Sequence, residues 1–188
     1  LDPDGPRGEH WGFLVREMTP FPEQDAPGYL IPGFALYGKD FFSPQKPPLL
    51  LKLIKDEDPV TIVLDTIMLP VIRQWVTCYL HFGFFLEPHG QNLLIQTDAD
   101  MKIRRTVHRD LSVGIDMCRR KHLGLSSDHL NAYNRMEDAK FGSIAYDKFM
   151  GHHFFDFLAE CVCRHFPDVR MADFTEPCKN EFKQVFPD

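Results

Sequence analysis

The stretch EPHGQNLLIQTDADMKIRRTVHRDL, Glu87 to Leu111, differs in kind from the sequence on either side of it. Leu93–Thr97 and Met101–His108 carry the β-branched and apolar content of strands, and Asp98-Ala99-Asp100 between them is a turn-forming triplet. The spacing predicts a hairpin over 92–108. With Thr97 paired to Met101, Asn92 would face Thr106, Gly90 would face His108 and Pro88 would face Asp110. Polar groups would then crowd the open end: His89, Gln91 and Asn92 from one arm, His108, Arg109 and Asp110 from the other. In that register Asn92 and Asp110 share a face but stand four residues apart, roughly 13 Å along an ideal ladder, too far for one metal ion. Pro88 and Gly90 are the residues able to curl the chain and close that gap. A slip of one residue would reverse the faces, so the register is an expectation for the structure to decide.

An imidazole, two amides, a guanidinium and a carboxylate on one rim suit a magnesium nucleotide. Magnesium takes oxygen ligands and keeps several waters, so one carboxylate and one amide oxygen beside phosphate oxygens suffice. Asp110 and Asn92 are the candidates. Arg109 and His89 would stabilise negative charge on a phosphate or a developing oxyanion, with Gln91 orienting the acceptor. The same residues also suit a plainer arrangement, in which Asn92 and Gln91 cap the hairpin and Arg109 and Asp110 form a surface ion pair.

Upstream, Asp58-Pro59 reads as an N-cap followed by Pro at the first helical position, and apolar residues recur at helical spacing from Val60 to Tyr79. Pro70 should kink or split that helix. Leu49 to Ile54 is a buried strand or a helical turn; periodicity does not distinguish them. The first 48 residues hold nine of the 15 prolines, yet also Trp11, Phe13, Phe21, Tyr29, Phe34, Tyr37 and Phe41, and so read as extended chain packed on the rest, with Trp11 to Glu17 a strand or short helix. Downstream, Ser126-Ser127-Asp128 should open a helix to about Lys140, Ser143 another through Tyr146, Phe149, His153, Phe157 and Cys161, and Thr175-Glu176-Pro177 a last one ending near Phe186. The fold expected is α+β: one mainly helical domain, 1–188, with an extended lead-in over 1–48, a helical core over 49–188, and a central antiparallel hairpin carrying the site.

The 188 residues include 44% hydrophobic and 26% charged residues, a folded protein's composition. A net charge of -6 and a pI near 5.8 disfavour nucleic acid and anionic membrane as partners. No segment offers the roughly 18 consecutive apolar residues of a membrane span, the most apolar stretch, Val60 to Leu86, being interrupted by Asp65 and Arg73, and no signal peptide is visible; the expected location is cytoplasmic. Five scattered cysteines do not resemble a secreted disulfide framework. Because the chain begins with Leu, a piece of a longer protein is expected.

The order H-x-Q-N, a short hairpin, then R-D resembles the C-terminal domain of the aerobactin-synthetase-like siderophore synthetases, which work independently of nonribosomal peptide synthetases. Glu87, His89, Gln91, Asn92, Arg109 and Asp110 fit that pattern. PPLLLKLI, Pro47 to Ile54, and GFLVRE, Gly12 to Glu17, are similar to other segments of the family. The resemblance implies a ligase that activates a carboxylate of citrate or a related acid with ATP, releasing pyrophosphate, after which an amine or hydroxyl displaces AMP. It implies that His89 contacts the phosphate or the activated carboxylate, that Gln91 and Asn92 lie against the nucleotide, that Asp110 helps hold magnesium, and that Arg109 acts directly or buttresses Asp110. It also implies a homodimer. The family's phosphate-binding Ser/Thr-Arg-Thr segment, lysine and further arginines have no counterpart in Leu1 to Phe41, so the expected partner is a missing N-terminal half of the same protein.

Other readings have less behind them. The same module is similar to ferric-siderophore reductases, but those hold a two-iron cluster on four cysteines including an adjacent pair, and Cys161-Val162-Cys163 with Cys178 supplies three. Aminoglycoside-type kinases need an Asp base where Gln91 stands. A non-catalytic interaction module stays open. His152-His153 reads as core or surface histidines, Arg104-Arg105 and Arg119-Arg120-Lys121 as solvated faces, and Phe41-Phe42 and Phe154-Phe155 as core or an interface with the missing half.

Overall fold

The computed structural model describes residues 28–110, 113–130, 132–137 and 145–186. Trp11 to Glu17, the helix-opening Ser143 and the expected helix end at Lys140 lie outside them. The architecture is α+β: helices around two small sheets, with strand β1 (Leu30–Pro32) pairing β3 (Leu93–Thr97), and β3 pairing β4 (Ile103–His108).

Leu49–Ile54 is a helix. Its buried residues, Leu50, Leu53 and Ile54, fall at i, i+3 and i+4, one helical face. Lys55, at φ 54°, ends it, and its ammonium donates to the Asp100 carbonyl at 2.7 Å, tying the helix to the hairpin turn. Asp58 then caps the next helix, accepting the Thr61 N–H at 2.7 Å, with Pro59 behind it.

The helical run continues to Phe82, and Pro70 does not break it. A π turn, Leu64–Met68, precedes the proline, and the Leu69 N–H reaches back five residues to Leu64. The wider turn absorbs the irregularity just where proline would crowd a regular helix. Among the described residues Pro59–Phe82 is the one helix long and apolar enough to cross a membrane, with 24 residues and a mean hydropathy of 1.3. Its Val63, Ile67, Ile72, Trp75 and Val76 belong to the core, with Leu36, Leu50, Leu93, Ile95, Met150, Phe154, Leu158 and Phe174. Gly83, at φ 64°, closes the helix in the left-handed conformation that glycine adopts without strain.

The hairpin forms, but not in the expected register. Leu93 faces His108, Ile95 faces Thr106 and Thr97 faces Ile103, with a bulge between Gln96 and Thr97. The turn is larger than the triplet: the Asp98 carboxylate accepts the N–H groups of Asp100 and Lys102 at 3.0 and 2.9 Å, the Asp98 N–H donates to the Lys102 carbonyl, and Met101 sits at φ 64°. Met101 is therefore turn rather than strand, and Asn92 meets Arg109 instead of Thr106, its carbonyl accepting the Arg109 N–H at 2.8 Å.

In the second sheet β2 (Phe84–Phe85) runs antiparallel to β5 (Gly114–Asp116), and β6 (Arg135–Met136) lies parallel to β5. No helix starts at Ser126–Asp128. Arg120 takes the Ser127 hydroxyl at 2.8 Å, the Ser126 carbonyl at 2.5 Å and the Phe82 carbonyl at 2.6 Å, while Arg135 takes the carbonyls of Ser127 and Leu130. The segment is wrapped around two guanidinium groups, and its cap residues are spent on them. Arg120 is accordingly buried and half-buried Arg119 donates to the Leu80 carbonyl, so these two arginines are internal wiring rather than a solvated face, and only Lys121 of the run is exposed.

A π-helical segment, Ala145–Phe155, leads into the α-helix Asp156–His165. The last helix spans Ala172–Val185, starting before Thr175 and carrying Pro177 inside. In its first turn the Asp173 carboxylate reaches back to accept the N–H of Arg170, just ahead of the helix, at 2.8 Å. Arg73 and Glu181 pair at 2.5 Å between the first long helix and this one. Phe154 and Phe155 are core, as expected, whereas Phe41 and Phe42 are 88% and 91% exposed and stack edge to face on the surface.

Candidate functional site

The site grows from how Glu87–Asn92 coils before β3. The His89 N–H donates to the Glu87 carbonyl at 2.9 Å, and the His89 carbonyl accepts from both Asn92 and Leu93. The Asn92 side chain, 6% exposed, donates to the Glu87 carbonyl at 3.2 Å and closes the coil from behind. Gly90 is required where it is, because its carbonyl accepts the Phe34 N–H at 3.0 Å and a side chain there would run into the Tyr37 hydroxyl. The β1–β3 pairing, extended by the Gly33 N–H to the Leu93 carbonyl at 2.8 Å, thus sets Phe34 and Tyr37 against the coil.

On the other arm Arg109 is clamped twice: its backbone N–H to Asn92 and its Nε to the Gln91 carbonyl at 2.7 Å. These two contacts brace the coil. Asp110 follows at φ 75°, exposed, where the ladder ends. With Asn92 opposite Arg109, Asn92 and Asp110 are staggered by one residue along the strands rather than four, but the odd shift of register also ends the shared face that was expected: Asn92 is buried and Asp110 exposed.

His89 points its chemistry outward. Its Nδ1 accepts the Gln91 N–H at 3.2 Å, which leaves Nε2 to carry the proton of the neutral ring and to donate. Burial and the neighbouring His153 hold its pKa below the usual imidazole value, with Asp110 pulling the other way. Glu87 is shifted up by burial and by the charge of Asp110. His108 is pushed down to about 4, chiefly by burial. Two carboxyl groups and two imidazoles therefore lie within electrostatic reach of one another at the strand ends.

A cavity of about 280 Å³ opens beside the coil, lined by Phe34, Tyr37, His89, Gln91, Phe149 and His153 along with the Gly90 backbone. Of the residues expected at the site, His89 and Gln91 face it; Asn92, Arg109 and Asp110 stand behind and beside it. Among the described residues no group of three His, Cys, Asp or Glu side chains is gathered to hold a metal by itself. The cysteines expected to be buried are so in part: Cys161 is buried, and burial pushes the Cys178 thiol up to about 12. That protonated state suits packing rather than iron ligation.

Two participants, His153 and Glu87, have no role in the sequence analysis. His153 was assigned to core or surface, yet its helix brings it to the His89 cavity; Phe149, four residues earlier on that helix, could have flagged a shared face. Glu87 matched the motif without a role. His108, expected at the rim, has both ring nitrogens cut off from solvent.

No family model matches the chain, and no curated protein matches it in sequence. Solved structures do resemble it in fold. The petrobactin biosynthesis protein AsbB from Bacillus anthracis str. Sterne is 16% identical at a TM-score of 0.62, over 84% of this chain and 28% of that one. The aerobactin synthetase IucC from a hypervirulent pathotype of Klebsiella pneumoniae is 15% identical at 0.66, over 83% and 28%. ATP-bound aerobactin synthetase IucA from the same source is 14% identical at 0.62, over 83% and 29%. The chain shares the fold of part of these synthetases and spans less than a third of their length.

Proposed function

We propose that this chain is the C-terminal part of an ATP-dependent siderophore synthetase that adenylates a carboxylate of citrate or a similar acid and condenses it with an amine or hydroxyl. The observation that carries the reading is the clasp between Glu87–Asn92 and His108–Asp110, which fixes His89 with Nε2 available at the edge of a cavity. The likeness in fold to an ATP-bound synthetase supports it. In the reaction proposed, a carboxylate oxygen attacks the α-phosphate, pyrophosphate leaves, and the nucleophile then displaces AMP. His89 would donate to the anionic oxygens. Arg109 and Asn92 would hold the coil in place, and Gln91 would orient what binds against it.

The donor set fits magnesium. Asp110 and Glu87 are acids close enough for one charge to disfavour the other, a pair that a divalent cation would relieve, and the Asn92 amide oxygen lies on the same coil. Asp110 and Asn92, with Glu87, are the residues that would hold the ion, whose contribution when bound is to neutralise phosphate charge. A partner N-terminal half would supply the remaining phosphate-binding groups, and a homodimer is proposed on the same footing.

The experiment is a pyrophosphate-release assay with citrate, run on the 188-residue chain and on the full product of its coding sequence. The full protein should turn over and the chain should not. Robust turnover by the chain alone, or an upstream sequence without a phosphate-binding half, would sink the proposal.

A further inference from the structure

The cavity beside His89 is lined on one side by the coil and on the other by the π-helical segment Ala145–Phe155. The Phe149 ring neighbours both imidazoles, 5.7 Å from His89 and 6.3 Å from His153. Neighbouring His152 is turned to Asp156 at 2.8 Å, whereas His153 lines the cavity. The polar side chains on that lining are the imidazoles of His89 and His153, the Tyr37 phenol and the Gln91 amide. All four can donate hydrogen bonds, and none is a carboxylate. A concave surface with aromatic walls and only such groups fits an anion.

We propose that His153 is a second anion-binding imidazole of the site, contacting the phosphate or carboxylate oxygens of bound substrate from the helical wall as His89 does from the coil. The inference rests on the synthetase reading above and adds a residue to it. Negative oxygens seated in the cavity would meet donors from both walls, His89 and Gln91 on the coil and His153 on the helix. Tyr37, whose phenol is kept protonated by burial, adds a neutral donor to the same wall.

The test is an NMR titration of the 188-residue chain with inorganic pyrophosphate, with citrate and with magnesium–ATP, following imidazole and backbone signals. His153→Leu should weaken one of the two anions by roughly tenfold, His153→Gln should retain most of the affinity, and His152→Leu should change nothing, all with an unchanged melting temperature. Loss confined to pyrophosphate assigns His153 to the nucleotide, and loss confined to citrate assigns it to the acid. If His153→Leu binds both anions as the parent chain does while His89→Leu loses them, His153 has no such role and the synthetase reading stands. The same titration is run on the full product of the coding sequence: if that protein binds none of the three probes the synthetase reading falls, and if it binds them with His153→Leu as tightly as without it only the role of His153 falls.

Discussion

His108 shows how one side chain records its surroundings. Both ring nitrogens are cut off from solvent, and the pKa falls to about 4, because burial penalises the charged ring more than Asp110 favours it, with a smaller repulsion from His89. In the unfolded chain the same ring titrates near 6.5. The unfolded state therefore binds more protons between these values, so the contribution of His108 is fully present above about pH 6.5 and is lost as pH falls toward 4. Urea unfolding at pH 4.5 and 7 should show a loss on the order of 2–3 kcal/mol in the parent chain, and a clearly smaller one in His108→Phe; equal losses would contradict the assignment. That His108 belongs near the site was readable from the hairpin. That it is sealed was not, since sealing comes from what packs over the strand end.

At the scale of elements, the sequence marks helices and strands where a local cause exists and misleads where a distant side chain intervenes. Asp58-Pro59 starts a helix as its cap chemistry requires, because both hydrogen-bonding partners lie within one turn. Ser126-Ser127-Asp128 has the same local credentials and starts none, because Arg120 and Arg135 take its hydroxyl and carbonyls. Arg120→Met should cost about 3 kcal/mol, read as a lowered urea midpoint, since it strands the buried Ser127 hydroxyl and removes the donor to the part-buried carbonyls of Phe82 and Ser126; a variant as stable as the parent would show those groups to be solvated. The hairpin register failed for a related reason. Asp98 spreads the turn to Lys102 by accepting two backbone N–H groups, and the bulge after Gln96 resets the pairing. The π turns before Pro70 and through His153 have no periodicity of their own to betray them, and the second is what carries His153 to the cavity.

Across the whole molecule, aromatic residues divide by place rather than by type. Phe154 is fully buried in the common core, whereas Phe41 and Phe42 stand on the surface. Phe154→Ala should cost about 3–5 kcal/mol, while the double change Phe41→Ser with Phe42→Ser should stay within about 0.5 kcal/mol, both by chemical denaturation; a large loss in the double variant would mean the pair is structurally engaged. By itself the sequence determined the α+β class, the hairpin and the identity of the His89 coil, because alternation, turn residues and caps act over a few neighbours and are written in order along the chain. Only the tertiary structure decided the pairing register, the buried arginines and the meeting of His153 with His89. Those depend on which distant groups satisfy each other's hydrogen bonds once the core has closed.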